Sequence, residues 1–538
     1  MRIVIDMQGA QTQSRYRGIG RYTMSLVEAV ARQAGEHDVW LVLNANYPDT
    51  IKPLYDLFND KIPEERILTF NTPIPVSWDD PGNKWRFRAA EMTREHFFSL
   101  LQPDIIFITS LFEGTTENAC VSVNVLEPGR QTAIVLYDLI PLLNPDTYLG
   151  TGWTRDWYMD KIANLKRASL LLAISEYARQ EAIDALNVDS DRIVNISTAI
   201  SDKFRPRHLS QYNLQTLYNR YGISRPFIMY SGAFEKRKNL ERLVEAFSLL
   251  PPDIRNNHEL VFVGKYQDIE LQHFHHYAQQ VGIFDRLILT GYTPDDDLIA
   301  LYSHCELFVF PSLHEGFGLP ALEAMACGAA TIGSNTTSIP EVIGRDDALF
   351  DPTSTKAIVE MMIDVLSDED FRNSLREHGL EQSKKFSWDE SAKRAINALE
   401  RIYTHDSEHE TKTWRQQKRE QERLYRRLID SITSISTEAV KPTDKDLINC
   451  ALSIAENIRI TDPVVRAHKL PDRITWRIEG PFDSSYSLAL VNRETARALS
   501  ALGHAVVLHS TEGPGDFAPD DKFLLKNPDL AVMHAGSQ

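Results

Sequence analysis

Apolar and polar positions alternate in blocks over the first 390 residues. Short apolar runs read as strands: RIVIDM (2–7), DVWLVL (38–43), DIIFIT (104–109), AIVLYD (133–138) and LLLAIS (170–175). A second set follows as FIMYSG (227–232), ELVFVG (259–264), LILTGY (287–292), LFVFPS (307–312) and ATIGSN (330–335). Between them lie amphipathic stretches of helical length, such as IGRYTMSLVEAVARQ (19–33) and LERLVEAFSLL (240–250). Runs this short, uniformly apolar and separated by helices predict parallel strands in βαβ units, covered on both faces. Two such series predict an α/β protein of two doubly wound, Rossmann-like domains facing a cleft, residues 1–205 and 206–405, joined near 203–212.

The pattern then changes. TKTWRQQKREQERLYRRLIDSITS (411–434) places Tyr425, Leu428, Ile432 and Ile435 on one helical stripe, opposite Lys412, Arg415, Lys418, Arg419, Arg423, Arg426 and Arg427. We expect a basic helical linker over 406–470, packed on its own protein or on a partner; an anionic membrane surface is the other reading. RITWRIEGPFDSSYSLALVNRETARALSALGHAVVLHS (473–510) repeats the strand–loop–helix–strand order of the first 43 residues. It predicts that 471–538 opens a second module of the same kind, cut short at Gln538.

Composition narrows the class. The 538 residues carry a formal charge of −17, which argues against broad nucleic-acid binding. No run approaches the ~18–20 apolar residues of a membrane span. MRIVIDMQGA starts directly in a strand, with no room for a signal peptide. The four cysteines (Cys120, Cys305, Cys327, Cys450) are too far apart for a metal motif or a disulfide framework. The expectation is a cytoplasmic multidomain protein.

Candidate chemistry concentrates in LFVFPSLHEGFGLPALEAMACGAATIGSN (307–335). A strand runs into a glycine loop and then a helix beginning near Leu319–Pro320, where proline forfeits no hydrogen bond. The free N–H groups of Phe317, Gly318 and Leu319 would make an anion site at the helix N-terminus, with Gly316 and Gly318 admitting a phosphate closely. Glu315 and Glu323 bracket this loop as acceptors suited to sugar hydroxyls, together describing a nucleotide-sugar site. In MYSGAFEKRKNLERLVEAF (229–247), Gly232 precedes Lys236, Arg237 and Lys238, cations placed to neutralise a diphosphate leaving group. SRYRGIGRYT (14–23) supplies Gly18 and Gly20 as a facing glycine loop. Asp295, Asp296 and Asp297 belong to a helix's first turn rather than to a metal. His273, His275 and His276 lie on a polar helix.

HEGFGLPALEA, with seven residues between Glu315 and Glu323, resembles the E-x7-E motif of family 4 retaining glycosyltransferases of GT-B architecture. GAFEKRKNLERLVEAF, RGIGRYTMSL and AISEYARQE extend the resemblance over about residues 1–405. It implies that Glu315 contacts donor-sugar hydroxyls, Glu323 the ribose, and Lys238 with Arg237 the diphosphate, without a metal or cofactor. Two positions depart: Tyr137-Asp138 stands where many members carry His-Asp, leaving Asp138 as the candidate contact, and Ala233 replaces an arginine. Within the family the sequence is similar to the two-module polymannose O-antigen mannosyltransferases. That likeness implies GDP-mannose as donor and a lipid-linked mannan as acceptor, with 411–430 meeting a membrane-associated partner or an anionic surface at the inner face of the membrane. Two alternatives stand beside it: a non-catalytic nucleotide-sugar-binding subunit, and an enzyme using free sugar phosphates.

Overall fold

The computed structural model describes residues 1–405, 414–435, 441–462, 475–479, 487–501 and 505–509. Each of the apolar runs named above becomes a strand, and every pairing is parallel. The first sheet contains β1 (Arg2–Asp6), β2 (Asp38–Asn44), β3 (Ile67–Phe70), β4 (Ile105–Ile108), β5 (Thr132–Leu136), β6 (Leu170–Ala173) and β7 (Ile193–Asn195), in the order β3-β2-β1-β4-β5-β6-β7. The second contains β8 (Phe227–Ser231), β9 (Glu259–Val263), β10 (Leu287–Gly291), β11 (Leu307–Phe310), β12 (Thr331–Ser334) and β13 (Leu349–Phe350), ordered β10-β9-β8-β11-β12-β13. Most strand residues are buried, as sheets covered by helices on both faces require. Both orders reverse beside the first strand of their domain, the position at which such sheets open a crevice beyond the strands' carboxyl ends.

Three strands escaped the pattern analysis. ILTF, IVN and LF are too short to show a period, and sheet pairing alone defines them.

Two segments cross between the domains. Residues 196–210 run from β7 to the helix Gln211–Tyr221. The helix Trp388–His405 returns to the first domain and packs on the helix Gly18–Gln33. Trp388 meets Tyr22 edge-on at 5.0 Å, Arg32 pairs with Asp389 at 2.9 Å, and His37 bonds Glu400 at 2.9 Å.

The linker helix packs on its own protein. The helix Trp414–Thr433 lays Leu424, Leu428 and Ile432 against Trp85, Ala89 and Leu126 of the first domain. This corrects the stripe by one residue: Leu424 is buried, whereas Tyr425 is 43% exposed. Arg419, Arg423, Arg426 and Arg427 face solvent, Lys412 lies outside the described residues, and so do the side chains of Arg415 and Lys418. The next helix, Asp444–Thr461, adds Cys450 and Ile454 to the same cluster. Its Asn457 amide brackets Asn71, accepting from the backbone N–H at 2.7 Å and donating to the carbonyl at 2.9 Å. Beyond it, β14 (Thr475–Glu479) and β15 (Ala505–His509) pair in parallel around the helix Ser487–Ala501. The rest of 471–538 lies outside the described residues.

Candidate active site

The loop after β11 meets the loop after β8 at the carboxyl edge of the second sheet. Lys236–Lys238 form one tight turn, and Asn239 follows with φ 62°, a left-handed conformation that asparagine tolerates. Its side-chain amide donates to Pro311 O (3.1 Å) and Pro352 O (2.8 Å), and Leu313 N donates to Arg237 O (2.8 Å). These bonds tie the cationic turn to the glutamate loop.

Glu315 sits between the two cations. Its Oε1 accepts from Lys238 Nζ at 2.5 Å and its Oε2 from Arg237 Nη1 at 2.9 Å. Burial raises a carboxyl's pKa, but the charges of Lys238 and Arg237 overrule it and hold Glu315 below the ordinary carboxylate range. Arg237 also grips His314 O (2.9 Å) and Glu235 (2.7 Å), and Lys238 lies over the Phe310 ring at 5.6 Å. One Lys238 Nζ proton is committed to Glu315, so buried Lys238 and half-buried Arg237 still have donors for an incoming anion.

The helix Leu319–Ala326 begins where expected, with Pro320 in its first turn. Ser338 Oγ lies within hydrogen-bond reach of Glu315 O (3.0 Å) and Phe317 O (2.7 Å), fixing the loop's carbonyls on the protein side. The glycines have another reason than ligand approach. Gly318 has φ 114°, and a Cβ there would lie 2.8 Å from Ile339 Cδ1. A Cβ on Gly316 would lie 2.7 Å from Tyr137 O and 3.1 Å from Asp138 Cβ, so Gly316 is where the first domain presses on this loop.

Glu323 is half-buried and accepts from the Tyr302 hydroxyl at 3.1 Å. Burial pushes its carboxyl up to about 7, against the Tyr302 hydrogen bond and the Arg21 charge, with Asp295 adding to the rise. Asp138 follows the end of β5 and accepts from Ile140 N at 3.1 Å. Burial raises its carboxyl too, opposed by that bond and by Arg237. The Tyr137 hydroxyl is spent within its own domain, on Thr109 O at 3.0 Å.

The remaining predicted positions separate. Gly18 is exposed, with open space around it. A Cβ on Gly20 would lie 2.4 Å from Arg15 Cα and Ser14 O, so the preceding turn alone requires that glycine. Gly232, at φ 141°, packs under Tyr230, and its carbonyl would sit 2.1 Å from a Cβ on Gly264. Asp295, Asp296 and Asp297 occupy a helix's first turn, as expected, and pair with Arg21 (3.3 Å), Arg207 (2.9 Å) and Arg220 (2.5 Å). His273 bonds Glu241 at 2.7 Å. Among the described residues no three His, Cys, Asp or Glu side chains gather as a metal site.

The polar contacts between the domains leave no mark in the sequence pattern. Ser175 caps the helix Glu176–Leu186 by accepting from Ala178 N (2.9 Å), and its hydroxyl donates to Gly316 O (2.7 Å). His314 bonds Glu181 at 2.8 Å, and Glu341 accepts from Glu176 N at 2.9 Å. The serine before Glu176 signals a helix cap, and nothing in that signal reveals its second partner across the cleft.

Two facing Rossmann-like domains, with cations and a helix N-terminus on one side and a carboxylate on the other, make a GT-B architecture. The chain belongs to the family described as glycosyl transferases group 1, whose match spans residues 220–382. It is 42% identical over 404 residues to the serotype-specific mannosyltransferase WbdA of Escherichia coli, covering 75% of this chain and 48% of that one. It is 30% identical to the O-antigen chain mannosyltransferase B of Escherichia coli, over 71% of this chain and 95% of the other. The chain therefore spans about half the length of the WbdA relatives it matches. Solved structures with the same fold include sucrose-phosphate synthase from Thermosynechococcus elongatus (TM-score 0.55, 18% identity, 76% of this chain and 100% of that one). The Anabaena protein HepE, in complex with UDP and glucose, is another (TM-score 0.54, 15% identity, 74% and 100%).

Proposed function

We propose that this chain is a retaining mannosyltransferase that moves mannose from GDP-mannose to a mannose-containing, lipid-linked acceptor in O-antigen synthesis. The observation that supports it most is the Lys238–Glu315–Arg237 cluster beside the Leu319–Ala326 helix, facing Asp138 across the cleft. In this reading Lys238, Arg237 and the N–H groups of Phe317, Gly318 and Leu319 take up the charge of the departing diphosphate. Glu315 orients the donor sugar, and Glu323 accepts from the ribose diol. The acceptor hydroxyl approaches on the face the diphosphate leaves and passes its proton to a donor phosphate oxygen, so the anomeric configuration is kept. Positioning and charge stabilisation then carry the catalysis without a metal. The mannosyltransferase relatives favour the sugar, and the resemblance to the two-module enzymes favours 471–538 as the opening of a second module. Among the described residues no helix is long and apolar enough to cross a membrane. The exposed Arg419, Arg423, Arg426 and Arg427 are the surface this reading offers to a membrane-associated partner or an anionic surface at the inner face of the membrane.

A donor screen tests the reading: GDP- and UDP-sugars compared by thermal shift, with product mass on a mannose-terminated acceptor. GDP-mannose should stabilise the protein and add one hexose to the acceptor. Lys238→Ala should lower transfer by about 10²–10³-fold, as loss of one charge-stabilising donor does. Unchanged transfer by Lys238→Ala would defeat the assignment. One observation favours the alternative, a nucleotide-sugar-binding subunit without activity: Tyr137 spends its hydroxyl on Thr109. Donor binding without turnover would establish that second reading.

A further inference from the structure

Glu315 serves two ends that oppose each other. The reading above gives its carboxylate the hydroxyls of the donor sugar, and the fold sets that same carboxylate on the two cations meant for the diphosphate. Oε1 faces Lys238 Nζ and Oε2 faces Arg237 Nη1, so each oxygen meets one cation. Arg237 also bonds Glu235 through Nε. Two cations are thus matched by two carboxylates, and this bonded cluster is neutral overall. Lys236, in the same turn, is exposed.

The two carboxylates do not weigh alike. The Glu235 side chain is 47% exposed and is screened by water, whereas that of Glu315 is 9% exposed and acts through the interior, where charges interact more strongly. Lys238 is buried with it. Glu315 is also pinned. Its N–H donates to Thr337 Oγ1 (3.3 Å), its carbonyl lies against Ser338 Oγ, and Arg237 holds the neighbouring His314 carbonyl. Its charge therefore stays beside both cations whichever anion they meet.

Electrostatics then separates donor from product. A nucleoside diphosphate carries one more ionisable oxygen than its sugar ester, so cations alone would grip the product harder than the donor. Glu315 opposes that order. While the sugar is present its hydroxyls donate to the carboxylate; once the sugar has moved to the acceptor, the carboxylate is left with the cations alone. We infer that Glu315 drives off the departing nucleoside diphosphate, by competing with its phosphate oxygens for Lys238 and Arg237. The inference rests on the nucleotide-sugar reading above and gives a residue used at the start of the cycle a second task at its end. Product release limits the turnover of many enzymes, and a site without such a counterweight would be slowed there.

The experiment measures the affinity of the intact chain for GDP or UDP, whichever stabilises wild type more in thermal unfolding, and for the matching nucleotide sugar. Calorimetry gives the affinities and stopped flow the dissociation rates. Glu315→Gln, which keeps the shape and removes the charge, should bind the diphosphate about tenfold more tightly and release it about tenfold more slowly. Its affinity for the nucleotide sugar should change by less than about twofold, since the lost sugar contact offsets the gain. Glu315→Asp, which keeps the charge but draws it back by one methylene, should fall between wild type and Glu315→Gln, and carries the test by itself if the glutamine variant does not fold. Glu235→Gln should alter diphosphate affinity by less than about twofold, because its charge is screened. Weaker or unchanged diphosphate binding in the Glu315 variants would make the carboxylate an organiser of the cations rather than their competitor, and would overturn the inference alone. A wild-type protein that binds neither GDP nor UDP overturns the donor reading, and the inference with it.

Discussion

Glu323 shows how one residue's surroundings become a measurable pH dependence. Burial pushes its carboxyl up to about 7 in the folded chain, from the ordinary 4.5. Between those values the folded form binds more protons, so this residue's contribution falls as pH rises through the window. Glu323→Gln removes the dependence: relative to wild type the variant should gain stability from pH 4.5 to pH 8, by at most about 3 kcal/mol, seen in thermal unfolding. In the proposed reading donor affinity should run the other way, because the ionised carboxylate accepts from both hydroxyls of a ribose diol, whereas protonation turns one of its oxygens into a donor. GDP-mannose should bind about tenfold more tightly at pH 8 than at pH 6 in wild type, and with no such rise in the variant. Glu315, Lys238 and Arg237 were legible because charge beside a glycine loop after a strand is a local signal. The reason for Gly316 was not, since it depends on Tyr137 and Asp138, more than 170 residues away along the chain.

Among elements, the helix Trp414–Thr433 was legible in period but not in phase. Tyr425 and Leu424 are adjacent candidates for one stripe, and only the partner surface at Trp85, Ala89 and Leu126 selects Leu424. Leu428 is fully buried there, so Leu428→Ala should cost about 2–5 kcal/mol of the docking of this helix. Limited proteolysis should then cut within 414–461 at protease levels that spare the wild type, while the two sheets stay intact. The strands β3, β7 and β13 were invisible for the opposite reason, being defined by neighbours rather than by any pattern of their own.

For the whole molecule, two Rossmann-like domains were legible from two series of apolar runs. Their facing arrangement was not, because the contacts that help to hold it are scattered along the chain, among them the polar contacts of Ser175 on Gly316, Glu181 with His314, and Glu341 on Glu176. Such contacts, each worth about 0.5–1.5 kcal/mol, suit a cleft that must also open. His314→Ala removes one of them without touching the cations. Small-angle scattering should show a larger radius of gyration for the variant without donor, and saturating GDP-mannose should return it to the wild-type value. Equal radii would place the closing force elsewhere.

The docking of Asp444–Thr461 on the first domain sets what travels when the halves part. The chain leaves the donor-side sheet, crosses back along Trp388–His405, and is anchored through Asn457 to Asn71 before β14 begins. Opening would therefore swing the donor half as an arm against a half that carries the docked helix Asp444–Thr461 with it.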